Sequence, residues 1–155
     1  MLNAWLHLLA LALYLGAVIG LWLVLFPSLS AIKSEDGQLK LLARGLKFYN
    51  PLQIGALGVV VLTGAFQITE LKAAYRATFI QQIGGTLALK LTLSFVLIVL
   101  STYQAMGIGH RLVRRYEAGE KLSRAEIETI VYRLRSSSVA ILILAVPIVW
   151  LGLRL

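Results

Sequence analysis

Four long apolar stretches separated by polar connections set the pattern of this chain. Residues 87–109 are almost wholly apolar. As a helix they would rise about 34 Å, enough to cross a bilayer core of about 30 Å. Similar runs lie earlier and later, so the expected spanning helices cover about 4–26, 52–71, 86–117 and 123–153. The third and fourth continue past the apolar run on one side. The pattern predicts an all-α polytopic membrane protein, with four transmembrane helices in an antiparallel bundle and a single domain over residues 1–155.

Local signals refine the elements. Trp5 and Trp22 sit near the two ends of the first helix, as interfacial aromatics do, and Pro27 ends it. Ala12, Gly16 and Gly20 form a small-xxx-small ladder that predicts a close packing face. In the first connection, residues 38–49 place Leu39, Leu42, Ala43 and Leu46 at helical spacing, with Lys40, Arg44 and Lys47 elsewhere around the wheel. That suits a short helix lying in the membrane interface. Asn50-Pro51 then reads as a cap and first turn for the second spanning helix. Gly119 should stop the third helix, and Ser123-Arg124-Ala125-Glu126 is a capping box opening the fourth. Pro147 is expected to kink that helix.

Charge orients the pattern. With 59% hydrophobic and 14% charged residues, the chain is too apolar for a soluble domain of 155 residues. Its net charge of +8 therefore reads as membrane topology, with no nucleic acid expected as a partner. Lys33, Lys40, Arg44, Lys47, Arg111, Arg114, Arg115, Lys121, Arg124, Arg133 and Arg135 fall in the first and third connections. Only Lys72, Arg76 and Arg154 fall on the other side. Lys and Arg are retained in the cytoplasm, so both termini are expected outside, periplasmic in a bacterial inner membrane. The first helix reads as retained rather than as a cleaved signal, because its run is long and no basic segment precedes it. Anionic lipids are the expected partners of the basic face, and other membrane subunits those of the glycine-rich helices. The absence of cysteine excludes disulfides, thiolate metal sites and thioether-linked haem.

Candidate chemistry is sparse. His7 lies near the outer end of the first helix and His110 at the inner end of the third, so they cannot both ligate one haem. His110, beside Arg111, Arg114 and Arg115, reads as a headgroup contact. Lys90 is an ionisable group inside an apolar run, where such groups usually have a use. Depth counting puts His7, Lys90, Gln67 and Glu70 in one outer layer, with a Lys90–Glu70 ion pair as the simplest arrangement. As a functional site this layer would take an anionic or tetrapyrrole ligand such as haem b, with His7 the metal ligand. The alternative is a Lys90 that snorkels to lipid phosphate. Asn50, Gln53, Tyr103 and Gln104 form a second polar layer, explained by hydrogen bonding between helices. There is no phosphate-binding loop, zinc-protease motif or nucleophile elbow. Met1 and Met106 are too few and too far apart for a methionine copper relay.

Three stretches carry a resemblance: WLHLLALALYLGAVIGLWLVLFPSL, LKFYNPLQIGALGVVVLTGAF and LALKLTLSFVLIVLSTYQ. Together they resemble the copper-resistance-D (CopD-like) membrane domain and, more distantly, the HemJ-type protoporphyrinogen oxidases. The matching features are His7 followed by Gly16, the Thr63-Gly64 pair, and Lys90. The resemblance implies a copper-handling or haem-associated membrane protein with His7 and Lys90 as the carried-over positions. The expectation set by all of this is a non-catalytic accessory or anchoring subunit of a membrane complex. A haem or porphyrin redox protein is the first alternative, and copper uptake the second.

Overall fold

Polar caps and prolines decide where the helices begin, bend and end. The structure, a computed structural model, describes residues 2–155, and among them no strand occurs. Helix α1 covers Leu2–Ser30. Pro27 has no N–H to give to the carbonyl one turn earlier. Just before it the helix widens to π geometry over Leu21–Leu25. Ser34 then caps α2, Glu35–Tyr75, by accepting from the Gly37 N–H, while Glu35 and Asp36 complement the positive end of the helix.

Two expectations change here. Residues 38–49 are not a separate interfacial helix, and Asn50-Pro51 is not a helix start; both lie inside the 41-residue α2. Proline inside a helix removes a hydrogen bond and costs about 3 kcal/mol. Burial on both sides of Pro51 offsets that cost. The apolar stripe Leu39, Leu42, Ala43 and Leu46 was correctly identified, but it faces protein: these residues pack with Leu25, Phe26, Leu29, Leu112, Ile127 and Leu134. The Asn50 side-chain amide, free of capping duty, donates to the Ala105 carbonyl at 3.2 Å.

After α2 the chain reverses at Arg76, whose φ of 47° and ψ of −120° are unusual for a side-chain-bearing residue. Helix α3, residues 79–117, follows a single 3-10 turn and contains a π segment at Tyr103–His110. Gly119, with φ 76°, terminates it as expected. The capping box at Ser123 is present in both directions and opens α4, Arg124–Leu153, which carries Pro147 within it. Leu2–Ser30, Glu35–Glu117 and Arg124–Leu153 are each long and apolar enough to cross a membrane, the middle one being folded back at Arg76.

Side-chain pairings give the chain directions. His7 meets Thr63 and Leu25 lies over Gly45, so α1 and α2 run in opposite directions. Lys47 pairs with Glu117 and Gln53 with Gln104, which does the same for α2 and α3. Gln104 meets Ser138 and Lys90 lies over Gly152, reversing α4 against α3. The glycine ladder behaves differently from its expectation. A Cβ on Gly16 would meet nothing within 4 Å, and only Gly20 lies close to a neighbour, the ring of Tyr49.

Two apolar clusters result. One fills the basic end, from Leu21 to Leu134. The other, around Tyr14, Val18, Leu57, Leu97 and Ile141, fills the middle.

Candidate functional site

Between the two apolar clusters lies a belt of polar side chains with a member from every helix. Tyr14 of α1, Gln53 of α2, Ser101 and Gln104 of α3, and Ser138 of α4 are each no more than 1% exposed. Their bonds form two runs that meet on α3. The Tyr14 hydroxyl bonds the Ser101 hydroxyl, and Ser101 in turn donates to the Leu97 carbonyl at 2.8 Å. The Gln53 amide donates to Gln104 Oε1 at 3.3 Å. Gln104 Nε2 donates onward to Ser138 Oγ at 2.6 Å and to the Leu134 carbonyl at 3.3 Å. Among the described residues no buried side-chain nitrogen or oxygen lacks a partner. In an apolar surrounding each unmade bond would cost free energy, so these satisfied bonds constrain the rotation of all four helices about their axes.

Of the polar layer expected from sequence, Gln53 and Gln104 are members and Asn50 sits one turn away on Ala105. Tyr103 is not a member; it is 50% exposed. The π segment that starts at Tyr103 turns Gln104, Ala105, Ile108 and Gly109 inward instead. Tyr14, Ser101 and Ser138 were missed. A tyrosine in the middle of an apolar helix is a usable signal, since its hydroxyl needs a partner when buried. Serines in such helices are too common to be one.

The outer end holds the residues expected to form a ligand site, but in a different arrangement. His7 Nδ1 and Thr63 Oγ1 are 2.8 Å apart, and Asn3 donates to the Thr63 carbonyl at 3.3 Å. The Thr63 hydroxyl already donates to the Val59 carbonyl at 2.7 Å. Its remaining role toward His7 is acceptor, so the network assigns the proton to Nδ1 and leaves Nε2 with a lone pair. Gly64 gives the imidazole room: a Cβ there would lie 3.4 Å from His7 Cε1.

Glu70 is not brought to the His7–Thr63 pair. His7 lies level with Thr63, and Glu70 is seven residues further out on α2, about 10 Å. Counting from the turn, Lys90 is about 9 Å deeper than Glu70, because α2 runs to Tyr75 and α3 begins at Phe79. No ion pair among the described residues includes either. Glu70 is exposed and Gln67 half-buried. The Lys90 ammonium turns instead to α4, where a Cβ on Gly152 would lie 3.2 Å from Nζ. Gly152 is in the last turn of α4, whose free carbonyls carry partial negative charge. Lys90 thus lies against the last turn of a helix and not beside the expected carboxylate.

These residues set what the site can hold. One imidazole nitrogen is the donor a haem iron needs at an axial position. Copper is usually held by several nitrogen or sulfur donors. Among the described residues no group of three His, Asp or Glu side chains gathers. His110 stands apart, at the end of the π segment and at the opposite end of the fold from His7. Met1 lies outside the described residues.

No protein family, curated protein or solved structure matches this chain.

Proposed function

We propose that the chain is a CopD-like integral membrane protein with four spanning helices in an antiparallel bundle, serving as a non-catalytic accessory or anchoring subunit of a membrane complex. The polar belt carries this reading. It takes one or two side chains from each helix and uses their hydrogen-bonding capacity within the bundle, which suits a rigid scaffold. The charge asymmetry supports a bacterial inner-membrane location with the basic end in the cytoplasm and both termini outside. Partners are then the bilayer, its anionic lipids at the basic end, and other membrane subunits.

Two measurements test it. A reporter active only in the cytoplasm should work when fused after Arg115 and fail after Leu155; the reverse pattern overturns the topology. Protein purified from membranes should show no Soret band and no stoichiometric copper. A Soret band would favour the second reading, a HemJ-like haem or porphyrin protein. The lone pair on His7 Nε2 supports that alternative, and a band that disappears in His7→Ala would assign the ligand. Stoichiometric copper would favour uptake of that metal.

A further inference from the structure

Helices α1 and α4 leave an open seam along their shared side. At the basic end the seam is a groove of about 740 Å³ whose walls include Trp22, Phe26, Val131, Tyr132, Arg135 and Val139. Further up the same two helices, a wholly apolar hollow of about 440 Å³ runs along Leu15, Leu142, Ala145 and Val149. The charges in the groove are unequal. Glu128 is engaged by Arg124 at 3.4 Å, whereas Arg135 has no acidic partner among the described residues. The neutral donors are mostly engaged as well. Gln38 Nε2 donates to the Leu29 and Ile32 carbonyls, Ser30 to Pro27, and Ser136 to Arg133. An anion entering the groove would find the Arg135 guanidinium, flanked by the indole of Trp22 and the phenol of Tyr132.

We propose that this seam binds an anionic phospholipid of the cytoplasmic leaflet. Its phosphate sits on Arg135, and an acyl chain runs along α4 past Val139 and Leu142. The lengths agree. Arg135 to Ala145 is ten residues, about 15 Å of helix, and one leaflet is half of a core of about 30 Å. The chain end therefore reaches the upper hollow. A planar guanidinium suits a phosphate because it can give two parallel N–H bonds. The interfacial preference of tryptophan and tyrosine places Trp22 and Tyr132 at headgroup level. The proposal rests on the membrane orientation given above.

Native mass spectrometry of the full chain, stripped of lipid in detergent, tests it with phosphatidylglycerol or phosphatidylcholine added at equal concentration. Phosphatidylglycerol should be retained about fivefold better, the weight of one Arg at an anionic surface. Arg135→Gln should abolish that preference, while Arg133→Gln, a neighbouring arginine outside the groove, should keep it. Val139→Trp, which fills the seam, should lower retention of both lipids. Equal retention of the two lipids by the wild type would overturn the proposal. So would an equal loss in both arginine variants, or a dimer that Val139→Trp breaks without changing lipid retention. Recovery of the wild type in the soluble fraction would instead overturn the membrane reading itself.

Discussion

Removing Gln104 would open the polar belt at its centre. The side chain is 1% exposed and joins three helices: it accepts from Gln53 and donates to Ser138 and to the Leu134 carbonyl. Gln104→Leu keeps the volume close and deletes all three bonds. Hydrogen bonds between membrane helices average about 0.6 kcal/mol and reach about 1.7. Three of them therefore contribute roughly 2 kcal/mol. The Gln53 amide, also 1% exposed, would lose this partner, adding on the order of 1 kcal/mol or more. The expected loss is about 3 kcal/mol, roughly a hundredfold shift in the folding equilibrium. Reversible unfolding in mixed detergent micelles, followed by circular dichroism, would measure it. The double variant Gln53→Leu/Gln104→Leu should cost less than the sum of its parts by about 1 kcal/mol, since it removes both members of one bond. A Gln104→Leu cost below about 0.5 kcal/mol, or strict additivity in the double variant, would refute the belt as a linked structure.

Three further outcomes are expected. Ser123→Ala should destabilise the start of α4 by about 1 kcal/mol, seen as faster amide exchange at 124–127; part of the box survives because Glu126 still accepts from the backbone N–H of residue 123 at 3.0 Å. Arg76→Gly should stabilise the chain by about 1 kcal/mol in the same micelle assay, because φ 47° and ψ −120° mirror a type II turn position and suit glycine; an equal gain in Arg76→Val would contradict this. The Glu117 carboxyl is held below its ordinary value by the Lys47 ammonium at 2.7 Å, and that of Glu126 by the Ser123 N–H and then Arg115. Both folded values lie below the unfolded ones, so their stabilisation is complete above about pH 4.5 and fades as pH falls through the folded values. Amide exchange at the basic end should accelerate across that acidic window in the wild type and lose part of its pH dependence in Glu117→Gln.

The sequence made the helices legible and left their neighbours largely hidden. Periodicity identified the stripe Leu39, Leu42, Ala43 and Leu46 but not what it faces, because lipid and an apolar core reward the same residues. Pro51 misled because its preference for a helix start is a local effect of a few kcal/mol, outweighed by burial of the flanking turns. The Gln53–Gln104 contact was readable, since a buried amide in an apolar helix has few places to go. The π segment at Tyr103–His110 was not, and Tyr103 faces outward at its start. At the outer end, Lys90 was expected to pair with Glu70. The expected partner failed because errors of four residues at the end of one helix and seven at the start of the next become several ångströms in depth, enough to separate Lys90 from Glu70.

Where the polar groups close on themselves and where they stay open divides the molecule in two. The belt and the basic-end cluster hold α2, α3 and α4 through buried amides, Lys47–Glu117 and the pair of Arg115 contacts to Glu120 and Glu126. Helix α1 joins the belt only through Tyr14 and otherwise bonds to α2 at Thr63 and Gln38, while its side toward α4 is the open seam. Arg135, a cation with no acidic partner among the described residues about three turns into α4, therefore marks where the seam can still take something in. A lipid in the seam would close α1 against α4 without disturbing the belt. Its binding should accordingly slow amide exchange in α1 more than in α2.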